Sequence, residues 1–421
     1  MGSEAGSRLP GDHRPRVAYV MSRFPKLSET FVLDEMRAVE AQGVRVEVYP
    51  LQIERPAKMH PEAGPWLGRA HRAPLFSWPI LASNLAWLAR QPWRYLGTLA
   101  LLLWHTRGSA RYCAGGLAFF PKAVWFADRM SAEGVGHVHA HFASHPAAVA
   151  WVIRRLSGIP YSFTAHGSDL HRDRRMLRQK VSAATFVVAI SRFNQRIILE
   201  SCGSDASGKV AVIHCGVDLG VFRPDGRASG RNGQAPVVLC IGTLHEVKGQ
   251  RHLIEACRRL AARGIPFACR LAGDGPDRER LARQVERAGL LDRVSFLGAL
   301  THDEVRDALR QADVVAVPSV PTRDGRREGI PVALMEAMAC GVPVVGSRLS
   351  GIPEVVEDAE TGLLVEPGDP AALADALERL LRDRELARRL ASSGRATIER
   401  EFDLRSNAAR LADRFRAGAG R

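Results

Sequence analysis

Among 421 residues there is no Cys-x-x-Cys pair, no Asp-x-Asp motif to hold a metal, and no mainly apolar window long enough to span a bilayer. The seven cysteines are scattered and odd in number, which supports neither a disulfide framework nor a zinc ribbon and points to a reducing compartment. The nearest thing to a spanning stretch, Ala73–Ala89, is broken by two prolines, two serines and an asparagine. The polar, glycine-rich start Met1–Arg14 carries no secretory pattern, so a cytoplasmic location is expected. Acidic residues are also in short supply: 45 Asp and Glu against 59 Lys and Arg leave a net charge of +14. Nucleic acid, an anionic membrane surface or an anionic substrate would each suit that balance.

What is present is alternation. Strand-like runs occur at Arg16–Val20, Val44–Tyr49, His137–His141, Tyr161–Ala165, Thr185–Ile190 and Val210–His214. A second set follows at Val237–Ile241, Phe267–Ala272, Val294–Leu297, Val314–Val317, Pro343–Gly346 and Gly362–Val365. Amphipathic patterns lie between them, such as Val32, Met36 and Val39 after the candidate cap Ser28. This rhythm predicts parallel sheets with helices on both faces. The apolar-poor, glycine-rich stretch 223–235 reads as a linker. It divides a first domain, 1–222, from a second, 236–399, and a last helix within 400–421 is expected to pack back across the first. Ligands collect at the carboxyl ends of such strands, so binding between the halves is expected.

One segment, 69–130, breaks the rhythm. It holds five of the seven tryptophans, eight Lys or Arg and a single acid, Asp128. Leu81, Leu85 and Leu88 share a helical face, as do Leu96, Leu99 and Leu103. Tryptophan and arginine beside leucine faces suit a helix lying on an anionic membrane, the reading favoured because the cations have almost no acidic neighbours to pair with; a helix pair covering the first sheet is the alternative. The cations are dispersed and the aromatics are tied to leucine faces rather than to a stacking sheet, so no nucleic-acid partner is expected.

The chain is organised around Glu328–Pro343. Pro331 suits the first turn of a helix, Gly341 its left-handed end, and Pro343 forbids continuation. A helix start offers free N–H groups and the positive end of a dipole, which together seat a phosphate. Glu328 just before it and Glu336 in its second turn would repel phosphate and bind hydroxyls. A diphosphate with a hydroxyl-rich group at each end fits that arrangement; so would an ordinary amphipathic helix with two solvated acids.

Other motifs sit at strand ends. In Gly242-Thr243-Leu244-His245-Glu246-Val247-Lys248-Gly249 a glycine turn lets backbone approach a ligand and Lys248 can reach a phosphate. Gly273-Asp274-Gly275-Pro276 could admit a base or ribose, but lacks the third glycine of a dinucleotide fingerprint. Gly203–Val210 nearly spells a phosphate-binding P-loop; Val210 in place of Ser or Thr, and a following strand, exclude it. His137, His139 and His141 share one strand face, where zinc is conceivable and the lining of a polar cleft is the alternative; no acidic or Cys ligand accompanies them. His166 closes the strand Tyr161–Ala165 and would face the cleft, with Asp169 placed to orient it. Arg323, Arg326 and Arg327 crowd the loop before Glu328, either solvated or facing a diphosphate.

Taken together these strings resemble the retaining glycosyltransferases of GT-B architecture, family 4 in particular. Glu328 to Glu336 matches the E-x7-E signature, and IHCGVD at Ile213–Asp218, the GTLHEVKG and LAGDGP turns and FLG at Phe296–Gly298 stand in the family's order. The opening SRFPKLSETF and the HVHAHFAS…FTAHGSDL block are similar to the subgroup that builds bacterial exopolysaccharide of the colanic-acid type. The resemblance implies an α/β GT-B fold, two Rossmann-like domains across a cleft, the first for the acceptor and the second for the donor. It implies that Glu336 holds the donor ribose and that Glu328 accepts hydroxyls of the transferred sugar near the Gly329 and Ile330 N–H groups. Lys248 would bind the diphosphate, and His166 would sit beside the sugar, so that His166, Glu328 and Lys248 form the catalytic set. Gly242, Thr243, Gly273, Gly275, Leu297 and Pro331 would complete the donor side, and Ser28, Glu29, His139, His141 and Asp169 the acceptor side. The implied reaction moves a sugar from a UDP- or GDP-sugar with retention, without metal or any cofactor beyond the nucleotide sugar itself. The implied acceptor is lipid-linked or a glycan at the inner membrane face, with a soluble acceptor or non-catalytic sugar-nucleotide binding as alternatives. Two positions depart from the pattern. Thr243 stands where the family usually carries Arg, and Phe24–Thr30 replaces a glycine-rich first loop, which shifts the diphosphate's countercharge to Lys248 and the Arg323–Arg327 group.

Overall fold

The computed structural model describes residues 14–26, 29–54, 61–171, 173–203, 206–224 and 234–419. Twelve strands form two sheets of six. The first comprises β1 (Arg16–Phe24), β2 (Arg45–Ile53), β3 (His137–His141), β4 (Tyr161–Ala165), β5 (Phe186–Ala189) and β6 (Val210–Val212). The second comprises β7 (Val237–Ile241), β8 (Ala268–Ala272), β9 (Val294–Gly298), β10 (Val314–Val317), β11 (Val344–Ser347) and β12 (Leu363–Val365). The orders are β2-β1-β3-β4-β5-β6 and β12-β11-β10-β7-β8-β9, with every pairing parallel. Each run read as a strand in the sequence is one. β1 and β2 extend past the expected ends at Val20 and Tyr49, because the two keep pairing as far as Phe24 against Ile53.

Most strands of both sheets are buried on both faces, which is why they are largely apolar runs; the exceptions are β3, where His alternates with Val and Ala, and the edge strand β9, which alternates in burial. In each sheet the strand order turns back once, between β1 and β3 and between β7 and β10. The carboxyl ends at those two turning points open into the same cleft, the place where doubly wound sheets take ligands.

The last helix, Leu404–Ala419, leaves the second domain and packs on the first. The crossing is stitched by backbone: Val217 N–H donates to Phe402 O at 2.9 Å and Leu404 N–H to Val217 O at 3.1 Å. Phe415 is fully buried against Tyr19, His137, His139 and Phe186. Most of the expected linker 223–235 lies outside the described residues.

The irregular segment forms three helices, Trp78–Arg90, Pro92–Thr106 and Ala110–Ala132. The third is core, burying Phe120, Val124, Trp125 and Phe126. The first two lie outside it and leave Phe76, Trp78, Leu81, Leu85, Trp93, Leu96 and Trp104 exposed, Trp93 at 86% and Phe76 completely. Arg107 stacks over the Trp104 ring at 3.3 Å. Some of the cations are not free surface charges as the composition suggested. Half-buried Arg69 pairs with Glu40, and exposed Arg129 with Glu133, acids outside the segment, while Lys122 is buried and donates to the carbonyls of Leu51 and Ala73 at 2.9 and 3.0 Å. Arg90, Arg94, Arg107 and Arg111 remain exposed.

Candidate active site

The cleft between the domains has a volume of about 750 Å³. Its C-terminal wall is made largely of backbone. β7 and β8 each end in a glycine turn, and the two turns touch: a Cβ on Gly273, at φ +136°, would lie 2.0 Å from Gly242 O. Only glycine allows that approach, and it leaves main chain rather than side chain facing the ligand space. Gly242, Thr243 and Gly273 line the cleft. Gly275 instead packs beneath it on the Leu244 backbone, and Leu297 is half-exposed outside the lining.

The helix at Glu328–Pro343 runs from Val332 to Ala339. Pro331 is its N-cap rather than its first residue, because its ψ of 122° is extended. Gly341 closes the other end at φ +70°, with Val342 N–H reaching back to Ala337 O at 2.9 Å. Val332 and Ala333, whose N–H groups come too early to find intrahelical acceptors, line the cleft together with Gly329 and Ile330. Beside this helix start, Lys248 Nζ lies 2.7 Å from Glu328 Oε2, both side chains mostly buried. Arg326 and Arg327 line the same wall, and Arg326 Nη1 lies 3.0 Å from His245 Nε2. Arg323, in the same loop, is exposed outside the lining. Three cations and a helix start thus face one region, although Thr243 brings no charge.

Glu336 is 5% exposed and points into a group that sequence reasoning missed. His302 Nε2 lies 3.7 Å from Glu336 Oε1 and 3.7 Å from Asp34 Oδ2, and Asp34 comes from the opposite domain. Burial, reinforced by Asp34, pushes the Glu336 carboxyl up to about 8. Burial also pushes Asp34 up to about 7; Arg37 opposes this, and Asp218 and Glu62 reinforce it. At neutral pH Glu336 therefore holds its proton and Asp34 is near half-protonation.

Across the cleft, Gly329 meets the first domain so closely that a Cβ there would lie 2.2 Å from His166 O. This contact brings His166 and the Glu328 loop together. The His166 ring sits between Phe31 and Phe142, centroids 4.9 and 4.7 Å away. Burial holds it well below the usual histidine range, so it is neutral.

Asp169 does not orient that ring. Its carboxylate accepts from the backbone N–H groups of Ala143, His166 and Gly167, at 2.6, 3.1 and 2.6 Å, and shapes the turn that carries His166. The ring is held by His141, whose Nδ1 lies 3.0 Å from His166 Nε2. His139 is not on the acceptor wall either. The face shared by His137, His139 and His141 is covered by the last helix, so His139 is fully buried between Ser162 Oγ at 2.8 Å and Thr164 Oγ1 at 2.9 Å. Glu35, His139 and His141 gather within metal-ligand range of one another, but both His139 nitrogens are already taken by those hydroxyls. Glu29 lines the cleft and pairs with Lys26 at 2.5 Å; Ser28 lies outside the described residues. A signal for Glu35 was available: it lies three residues after Val32 and four before Val39, on the apolar face, where an acid needs a partner. His302 carried no comparable signal.

Residues 222–397 match the family described as Glycosyl transferases group 1, and residues 113–221 match Glycosyltransferase Family 4. A protein assigned to colanic acid biosynthesis, glycosyltransferase WcaL of Salmonella typhimurium, is 32% identical over 92% of this chain and 96% of its own length. A GDP-mannose-dependent alpha-(1-6)-phosphatidylinositol monomannoside mannosyltransferase of Mycobacterium tuberculosis is 32% identical over 58% of this chain and 64% of its own. Among solved structures, Anabaena HepE in complex with UDP-glucose superposes with a TM-score of 0.69 at 19% identity, over 95% of this chain and 99% of that one. The fold, the E-x7-E helix at the cleft and this full-length similarity have one reading: the chain belongs to the family 4 glycosyltransferases.

Proposed function

We propose that the protein transfers a sugar from a UDP- or GDP-sugar, with retention and without a metal, to a lipid-linked or glycan acceptor in the synthesis of a cell-surface polysaccharide. The observation that carries this is the Lys248–Glu328 pair beside the Val332–Ala339 helix start, in a cleft that also takes in Glu336. With donor bound, Lys248 turns to the diphosphate and Glu328 accepts hydroxyls of the sugar. As the glycosidic bond breaks, negative charge grows on the leaving diphosphate, and Lys248, Arg326, Arg327 and the helix start stabilise it. The leaving phosphate takes the acceptor proton, which accounts for retention without a protein nucleophile. Closure of the cleft keeps water from the activated sugar. The names of the relatives support both donor classes: HepE was solved with UDP-glucose, and the mycobacterial enzyme is named for GDP-mannose. That enzyme's named acceptor is a lipid, and WcaL is assigned to an exopolysaccharide.

The exposed Trp and Leu side chains of Trp78–Arg90 and Pro92–Thr106, with Arg90, Arg94 and Arg107 beside them, suit a peripheral contact with the anionic inner face of the membrane, which would bring a lipid-linked acceptor to the cleft. Among the described residues no helix is long and apolar enough to cross a membrane. The test is incubation with a panel of nucleotide sugars, with and without membrane extract as acceptor source. Donor turnover that yields an α-product from an α-donor supports the reading; inversion, or dependence on an added divalent cation, overturns those parts of it.

A further inference from the structure

We infer that Glu35 and His141 are positioning residues that fix the tautomer of His166, so that its Nδ1 is the bare acceptor nitrogen offered to a substrate hydroxyl. The inference rests on the proposed sugar transfer only for its kinetic consequence. Tyr19 Oη donates to Glu35 Oε1 at 3.0 Å, and burial raises the Tyr19 phenol well above its ordinary value, so it stays a donor. His141, fully buried, places Nε2 3.3 Å from the same oxygen. The contact is oblique, but a lone pair on Nε2 would face a carboxylate oxygen and be repelled, so the proton belongs on Nε2. His141 Nδ1 is then an acceptor, and the 3.0 Å contact with His166 requires His166 Nε2 to donate. The remaining His166 nitrogen, Nδ1, carries a lone pair. It lies 3.9 Å from Cys215 Sγ, a thiol that burial and the charge of Glu35 keep protonated, and both residues line the cleft. Every donor in the chain points the same way, from Tyr19 and from His166 toward the carboxylate. The arrangement extends the logic by which a buried acid sets the tautomer of the imidazole it touches in hydrolytic triads, here relayed through a second imidazole. Here the ring it prepares accepts from a hydroxyl of the sugar or of the acceptor.

The experiment is nitrogen NMR of histidine-labelled full-length protein, with assignment of His166 through His166→Gln, followed by kinetics. The expected spectrum shows neutral His166 protonated on Nε2 throughout the range in which free histidine titrates. Glu35→Leu is expected to mix or reverse the tautomers and lower kcat roughly 10–100-fold, the size seen when an orienting partner is removed, with donor KM unchanged. Glu35→Gln keeps an acceptor oxygen for both Tyr19 and His141 and is expected to keep the tautomer and most of the activity. Protonation on Nδ1 in the wild type overturns the inference, as does Glu35→Gln falling as far as Glu35→Leu with its tautomer intact. Should Glu35→Leu fail to fold, the wild-type and Glu35→Gln spectra still decide. The spectra need no substrate, so a protein that transfers no sugar and a protein with the other tautomer are separate results.

Discussion

The two walls of the cleft are built by different means. The C-terminal wall is backbone and fixed charge: touching glycine turns at Gly242 and Gly273, a helix start at Val332, and Lys248 paired with Glu328. The N-terminal wall is aromatic and titratable: Phe31 and Phe142 around His166, with His141 and Glu35 behind it. A wall of main chain and permanent charge suits a partner present in every turnover, the diphosphate. A wall of rings and neutral histidine suits a partner recognised by shape and hydroxyl geometry.

The sharpest way to break this contrast is to remove one charge from the first wall. Glu328→Gln or Lys248→Ala should each lower kcat by roughly 10²–10³, the scale of losing a transition-state contact in a dry site. Initial rates with the preferred donor measure it, and near-normal rates in either would end the assignment. The two walls also depend on their point of contact. Gly329→Ala puts a methyl 2.2 Å from His166 O and must push the domains apart. Overpacking of this kind costs about 1–3 kcal/mol, seen as a lower melting temperature, and under the proposed mechanism activity should fall further than stability, because His166 and Glu328 lie in different domains. Next in size is the surface beyond the cleft. Replacing Trp78 and Trp93 by Ser should weaken flotation with anionic vesicles about tenfold and leave transfer to a soluble acceptor unchanged. Wild-type protein that fails to float removes the membrane contact.

Legibility followed the same division. The C-terminal wall could be read because its chemistry is local: a glycine turn, a lysine six residues after Gly242, and two acids eight apart on one helix start all lie within short stretches of chain. The strands of the described residues could be read because most are short, largely apolar runs separated by helical patterns. The N-terminal wall could not be read in that way, since its relations are between strands. Whether His139 faced the cleft or the core depended on a helix beginning at Leu404, which covers that face with Phe415. Asp169 looked like the orienter of His166 because it is three residues away; the orienter is His141, 25 residues away on the neighbouring strand. Asp34 and His302, from different domains, meet only in the folded molecule.

That last meeting gives the mildest prediction and the one that joins the walls. Glu336, pushed up to about 8, and Asp34, pushed up to about 7, titrate as a pair beside His302. Their ordinary values are 4.5 and 3.8, so the folded, empty protein binds protons that the unfolded chain has released. The stability this contributes is present below those ordinary values and is lost as pH rises through 7 and 8. The melting temperature of the empty protein should therefore fall across that interval, and Glu336→Gln should flatten the fall. Donor binding should run the other way. A ribose hydroxyl donates best to an ionised carboxylate, so donor KM should decrease by a few-fold as pH rises toward 8, and this dependence should disappear in Glu336→Gln. A donor KM that rises over the same interval would mean that ribose prefers the protonated acid, and the two carboxyls would then be a structural clasp rather than the seat of the nucleoside.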